Sequence, residues 1–287
     1  MRIVLLGANG QLGTDLTAVL GHHDTVRFTR VDCDVTDTVR MAELLAGERP
    51  EVIVNTTAFH QVDLCETRAT EAFRGNAVVP FELSLVSNRL GAKLVHFSTD
   101  FVLRGDGAAP LPENAVPDPR SVYARSKLAG ELVVRDVAAR HLVVRTCGLF
   151  GVAGGSGKGG NFVETMLRKA QAGEPIRVVD DQIVTPTWTG DLARQVRLMI
   201  EAGVEGLVHA SAEGQCSWFE FASEIFEQAG IAADLSPTTS QEFQSPATRP
   251  RYSVLENARL KELGLNSMKP WKEALAGYLE AKRLMVE

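Results

Sequence analysis

The chain is poor in the features that mark secreted, membrane-spanning or nucleic-acid-binding proteins. Its four cysteines, Cys33, Cys65, Cys147 and Cys216, lie far apart. They form no C-x-x-C pair and no Cys/His cluster at zinc-finger spacing, so neither a disulfide framework nor a structural zinc of that kind is indicated. Buried reduced thiols are the expectation. No apolar run approaches the length needed to cross a bilayer, and Ile3-Val-Leu-Leu6 is too short for a signal peptide, so a cytoplasmic location is expected. Positive charge is also scarce. Thirty Lys and Arg against 36 Asp and Glu leave a net charge of −6, which argues against a nucleic-acid surface, because binding phosphate backbones needs concentrated positive charge. No internal repeat and no low-complexity tail is evident.

What is present is globular. The 287 residues are 45% apolar and 23% charged, enough for one large domain or up to two ordinary ones, each with its own core. Residues 3–6 form a continuous apolar run of the kind found in strands buried on both faces of a parallel sheet. Gly7-Ala-Asn-Gly10-Gln-Leu-Gly13 follows, then Leu16, Val19 and Leu20 recur at helical spacing. This is strand, glycine turn, helix. Glycines let the backbone turn tightly and approach a pyrophosphate, and the helix N-terminus presents free N–H groups to the anion.

Strands and helices then alternate. Further strands are expected at 26–28, 52–54, 94–97 and 142–145, with helices at 38–46 and 64–90, the latter bent or divided near Gly75-Asn76. The fourth strand delivers Ser98-Thr-Asp100 to its C-terminal end, where open α/β sheets hold ligands. After a polar, proline-rich loop, a helix opens with Ser121-Val-Tyr-Ala-Arg-Ser-Lys127. Tyr123 and Lys127 stand four residues apart, just over one turn, and project from one face. A neighbouring ammonium favours phenolate, so the pair suits proton transfer, although the same spacing also occurs on solvated helix faces.

Beyond residue 150 the pattern changes. Helices are expected at about 161–172, 189–202, 217–229 and 271–284, with short strands near 176–179 and 206–209. Gly157-Lys158 imitates a phosphate-binding loop, but Val152 and Gly159 stand where that motif needs Gly and Ser or Thr. The expected fold is α/β: a doubly wound parallel Rossmann sheet with a smaller α/β C-terminal substrate-binding domain. Residues 1–150 form the dinucleotide-binding domain, which also receives parts of 176–210, and residues 151–287 are mainly substrate-binding.

Three pieces taken in order, Gly7/Gly10/Gly13, Ser98-Thr99 and Tyr123/Lys127, resemble the extended short-chain dehydrogenase/reductases that act on nucleotide sugars. Tyr123-Ala-Arg-Ser-Lys-Leu-Ala-Gly-Glu131, Arg145-Thr146, Gly160-Asn-Phe-Val163, Val179-Asp-Asp-Gln182, Pro186-Thr187 and Arg249-Pro250 sharpen this into a resemblance to the dTDP-4-dehydrorhamnose reductase family, over essentially the whole chain. The resemblance implies that hydride from NAD(P)H reduces the C4 ketone of a nucleotide-linked 4-keto-6-deoxysugar. Tyr123 would give the proton, Lys127 would hold the nicotinamide ribose, and Thr99 would hydrogen-bond the reacting oxygen. Gly7, Gly10, Gln11, Leu12 and Gly13 would cradle the pyrophosphate. Asp34 and Val35 would lie against the adenine, and Thr56, Thr57 and Ala58 would line the cofactor. The plain alternatives are strand-end capping for Thr56 and Thr57, and a turn role for Asp34.

Asp100, Asn161, Gln182 and Arg249 are candidate substrate contacts, arginine suiting a diphosphate and structural pairing being its competitor. Trp188 and Trp218 read as core. NADP(H) is favoured because Arg27 and Arg30 lie near the end of the second strand; NAD(H) is the alternative, through Asp32 or Asp34.

Departures from the family pattern are Cys147 and Gly148 where tryptophan is common nearby, and Phe59 and Phe101 where tyrosine is common. Magnesium is left open. Asp15 stands near one family ligand position at a dimer contact, with an ordinary helix-surface role as the alternative, and no metal ligand is assigned. The partners implied are a nucleotide sugar and a second copy in a homodimer. Two other readings stand beside the reductase: a regulatory subunit of the methionine adenosyltransferase type, and a nucleotide-sugar epimerase. A 4,6-dehydratase fits less well, because Asp100 is followed by Phe101 rather than by the glutamate that elimination needs.

Overall fold

The computed structural model describes residues 1–153 and 160–284. Most of the glycine-rich stretch 151–160, including Gly157-Lys158, lies outside the described residues. Five strands, β1 (Arg2–Leu6), β2 (Asp24–Phe28), β3 (Val52–Asn55), β4 (Lys93–Thr99) and β5 (His141–Thr146), join a sixth, Gly206–His209, in one sheet. Every pairing in it is parallel, and the order is sixth strand, β5, β4, β3, β1, β2. The chain runs from β1 outward to β2 and then returns past β1 to β3. The crevice between β1 and β3, at the carboxyl ends of the strands, is therefore the topological switch point where open α/β sheets take ligands.

The apolar runs become strands because both of their faces are covered. Ile3 and Leu5 pack with Leu16 of the first helix (Gln11–Val19) and with Leu192 and Val196 of helix Thr189–Glu201. Val4 and Leu6 point the other way, against Met41, Leu45, Leu83 and Val134. Such two-sided burial explains strands without the in–out alternation of half-exposed sheets. Residues 64–90, read as bent near Gly75-Asn76, form helices Val62–Thr67 and Ala69–Phe73, a π-turn at Arg74–Val78, and helix Val79–Leu90. Buried Asn76 stabilises the π-turn: its amide accepts from the Phe59 N–H at 2.8 Å, and donates to the Phe59 carbonyl at 3.0 Å and the Ser126 hydroxyl at 3.0 Å.

The expected strands at 176–179 and 206–209 both form, but they go to different places. Ile176–Val179 pairs with Leu235–Thr238, apart from the main sheet, whereas Gly206–His209 extends that sheet beside β5. A small sheet orders Cys216–Ser217, Ile183–Val184 and Tyr252–Ser253. A second core gathers Phe150, Trp188, Phe221, Ile225, Trp271 and Tyr278, with Trp218 partly buried against it. Both Trp188 and Trp218 thus serve packing.

Helix Val122–Val137 is fastened to the sheet by charge. Glu131 is wholly buried and accepts two hydrogen bonds from Arg145 of β5, itself 1% exposed, at 2.6 and 2.9 Å. Arg145 also meets His209 at 3.3 Å, and burial together with this guanidinium lowers that imidazole to about 3, so it remains neutral. Removing one partner of such a pair strands a charge in a dry interior. Glu131→Gln is accordingly expected to lower the unfolding free energy by about 3–5 kcal/mol in chemical denaturation. A loss below about 1 kcal/mol would mean that the pair behaves as an exposed one.

Candidate active site at the strand tips

The first helix begins at a glycine turn that no side chain fills. Gly7 has φ of +81°, the left-handed region, and a Cβ added there would sit 2.6 Å from Thr56 Oγ1. At Gly13 a Cβ would lie 2.1 Å from the Gly7 carbonyl oxygen, so this helix can start so close to the β1 turn only with glycine there. Gly10 occupies the N-cap without a side-chain cap, which leaves the amides of the first turn to an outside acceptor. The Gln11 side-chain oxygen is buried beside them without a partner. A cradle of backbone N–H groups at a helix N-terminus fits a pyrophosphate.

Across the switch point, helix Val122–Val137 is held at its first turn from two directions. Ser121 caps it by accepting from the Ala124 N–H at 3.2 Å, and the Glu66 carboxylate accepts from the Val122 N–H at 2.8 Å. Asn76 of the π-turn reaches Ser126 one turn later. Irregular turns of this kind recur at functional sites because they re-aim neighbouring groups. Lys127, 3% exposed, donates to the Phe97 carbonyl of β4 at 2.6 Å.

Thr99 ends β4 and connects the cluster. Its hydroxyl donates to Asp100 Oδ1 at 2.8 Å and lies close enough to the Tyr123 phenol to act against its rise. The other Asp100 oxygen accepts from Ser253, which lies 153 residues away in the small sheet. Cys147 donates to the Ser253 carbonyl at 3.0 Å, so the position after Arg145-Thr146 faces this cluster. Phe101 meets the Tyr123 ring edge-on, with centroids 5.9 Å apart.

The electrostatics depart from the sequence expectation at one point. Burial raises the Tyr123 phenol well above its ordinary value, the Asp100 carboxylate adds to that, and the Thr99 hydrogen bond only partly opposes it. The net direction is therefore upward, against the lowering that a neighbouring ammonium by itself would give. Lys127 itself donates to the Phe97 carbonyl, and burial brings its own value down to about 8. A phenol held up in this way keeps its proton at neutral pH and is a donor rather than a base. Asp100 is raised by burial to about 6, against the hydrogen bonds it accepts from Ser253 and Thr99.

The remaining sequence candidates divide. Thr56 donates to the carbonyls of Leu6 at 2.7 Å and Gly7 at 3.1 Å, buttressing the glycine turn, while Thr57 donates to Asn55 Oδ1 at 2.6 Å. Ala58 beyond them is exposed. The Asp34 carboxylate accepts from the Thr36 N–H and hydroxyl, which hold it below the usual carboxylate range, and Val35 is half-buried. Asp32 is likewise tied to Thr29, whereas Arg27 and Arg30 are exposed. Arg30 lies 3.6 Å from Asp34.

Asn161 caps helix Phe162–Gln171 and donates to the Gly151 carbonyl and Tyr278 hydroxyl, and Gln182 donates to Ser240. Among the described residues no hydrogen bond joins either to Thr99, Tyr123 or Lys127. Arg249 pairs with Asp63 at 2.7 Å and lines a shallow cavity with Gln61, Val62 and Leu64. Asp15 is half-buried, where the plain alternative was a helix-surface aspartate; it accepts from Thr189. Glu66 and Ser253 had no signal in the sequence, and Asn76 was marked only as a bend, since each acts through contacts between distant segments. The buried hydroxyls of Ser98 and Thr146 at the strand tips have no hydrogen-bond partner, and Thr146 stands opposite Thr99 in register. Their place beside the quoted motifs was the available clue.

Known proteins supply the family. The family model described as RmlD substrate binding domain matches residues 1–284. A dTDP-4-dehydrorhamnose reductase of Mycobacterium tuberculosis is 38% identical over 288 residues, covering 98% of this chain and 93% of the relative. The chain belongs to the dTDP-4-dehydrorhamnose reductase family. Two solved members of the family superpose closely. One, from Clostridium acetobutylicum, has a TM-score of 0.94 at 35% identity, over 99% of this chain and 100% of its own. Another, from Bacillus anthracis in complex with NADP, has a TM-score of 0.93 at 35% identity, over 98% and 99%.

The family's Thr-Asp pair has a stability signature in this chain. Asp100 keeps its proton up to about pH 6 when folded, but only to about 3.8 when free. Between these values the folded state binds the extra proton, so stability is full below them and falls as pH rises, by at most about 1.4 kcal/mol per unit. Stability of Asp100→Asn relative to wild type should therefore climb from pH 4 to pH 6 in parallel denaturation series. A constant difference across that range would contradict the burial argument.

Proposed function

We propose that this chain is an NADP(H)-dependent reductase of the C4 ketone of a nucleotide-linked 4-keto-6-deoxysugar, converting dTDP-4-dehydrorhamnose to dTDP-L-rhamnose. The observation that carries the reading is the phenol of Tyr123, held protonated beside Thr99 at the tip of β4, within a chain that matches the family along its length. The uncapped glycine turn fits the cofactor's pyrophosphate, held by Gly7, Gly10, Gln11, Leu12 and Gly13. Exposed Arg27 and Arg30 suit a 2′-phosphate, and the NADP complex of the Bacillus anthracis relative supports the same choice; NAD(H) is the alternative. Asp34, Val35, Thr56, Thr57 and Ala58 form the rest of the proposed cofactor wall.

When bound, the nicotinamide supplies the hydride. Tyr123 delivers its proton to the carbonyl oxygen as negative charge develops there, and its raised value keeps that proton in place until it is needed. Thr99 stands beside the same oxygen and would turn its single hydroxyl proton, which rests on Asp100 Oδ1, toward it as negative charge develops there. Lys127, anchored on Phe97, holds the ribose side. Residues 1–150, with the returning Thr189–His209 segment, hold the cofactor, and residues 151–287 mainly meet the substrate. There Arg249 is offered to the diphosphate, with Asn161 and Gln182 as wall residues rather than direct partners of the reacting carbon. Among the described residues no helix is long and apolar enough to cross a membrane, and a cytoplasmic homodimer is part of the proposal. Magnesium is not.

The test is NADPH oxidation by purified protein given the keto sugar, followed at the nicotinamide absorbance band. Tyr123→Phe should lose about 10²–10⁴-fold in turnover while binding NADPH as the parent does. A Phe variant as active as the parent would remove Tyr123 as the acid. No oxidation by the parent, with cofactor still bound, would instead favour a regulatory subunit, and interconversion of sugar epimers without net oxidation would favour an epimerase.

A further inference from the structure

Away from the strand tips, His22, His23 and Glu201 bring three ligand atoms together within 4.8 Å of one another. His22 Nε2 lies 2.9 Å and His23 Nε2 3.2 Å from the same oxygen, Glu201 Oε1. The histidines follow the end of the Gln11–Val19 helix, and Glu201 is the last residue of helix Thr189–Glu201. We propose that these three residues form a divalent transition-metal site of the zinc class, clipping the two helices together.

Two independent features support it. Four ligands at about 2.0–2.1 Å around tetrahedral zinc stand about 3.3 Å apart, so the two histidine-to-glutamate separations of 2.9 and 3.2 Å need to open by only a few tenths of an ångström, and the two imidazoles, whose ligand atoms lie within 4.8 Å of each other, need a ring rotation to match. Two helix C-termini also converge here, each contributing the negative end of its macrodipole, which favours a cation. Exposure is graded: the His23 side chain is 13% exposed, Glu201 35% and His22 51%. Solvent can therefore reach the cluster and provide a fourth ligand. The competing cation is Arg197, one turn before Glu201 and 4.0 Å from the same carboxylate oxygen. Two neutral imidazoles and a carboxylate suit zinc-class ions and disfavour magnesium and calcium, which prefer all-oxygen sets. The simpler reading is a pair of imidazole–carboxylate hydrogen bonds, and metal titration distinguishes the two.

A metal here would brace the helix that carries the glycine turn at its other end. The inference does not depend on the reductase reading. Untagged full-length protein, stripped with chelator, is titrated with zinc chloride against a chromophoric zinc indicator, and its melting temperature is recorded with and without zinc. One equivalent should bind, the melting temperature should rise, and magnesium should do neither. His23→Ala and Glu201→Gln should each weaken zinc binding at least about tenfold and abolish the rise, while their metal-free melting shows whether they are folded. No saturable binding by the parent would overturn the proposal, as would binding that both variants retain in full, since the ion would then sit elsewhere.

Discussion

The placement of the Tyr123 phenol depends on buried polar bonds that join one helix to two strands of the sheet. Lys127 and Glu131 are one turn apart on helix Val122–Val137, both buried, and each is bonded to a different strand: Lys127 to the Phe97 carbonyl of β4, Glu131 to the Arg145 guanidinium of β5. Two adjacent strands thus set the rotation and height of one helix. Tyr123, one turn earlier, has little freedom left. Apolar packing alone is less demanding, because similar contacts survive a slide along the helix axis; buried charges without their partners do not.

The same burial decides the proton chemistry. In water a lysine beside a phenol favours phenolate, and the sequence pair invites that reading. In the fold Lys127 is buried and Tyr123 half-buried, and desolvation opposes charge on either. The phenol moves up, the ammonium moves down, and the nearest carboxylate, Asp100, moves up to about 6. The phenol consequently holds its proton at rest. This is the appropriate state for delivering one to an oxygen that is gaining negative charge, and it arises from the surroundings rather than from either side chain's identity.

Much of the architecture was legible locally. Strands β1, β3, β4 and β5 are apolar runs because both their faces are covered, and the glycine spacing marks the turn where two backbones nearly touch. Tyr123, Lys127 and Thr99 stand within motifs of a few residues, so they could be named as candidates before any coordinates. The fate of residues 176–209 was not legible, since Ile176–Val179 and Gly206–His209 look alike as short apolar runs and differ only in which strand lies beside them. Likewise, Asn161 and Gln182 have the composition of ligand contacts, but tertiary neighbours use their amides for capping and bracing.

What the chain order determined by itself was periodicity and adjacency: the parallel sheet, the uncapped glycine turn, and one helix face bearing a phenol and an ammonium. These follow from backbone geometry over less than a few turns. Only the tertiary structure decided the signs of the charge shifts, the bond from Ser253 to Asp100, the hold of Glu66 on the helix start, and the meeting of His22 and His23 with Glu201. Each joins residues separated by 50 positions or more, as in the 56 between Glu66 and Val122. Such contacts, and the exclusion of water around them, exist only once the sheet and its helices have closed.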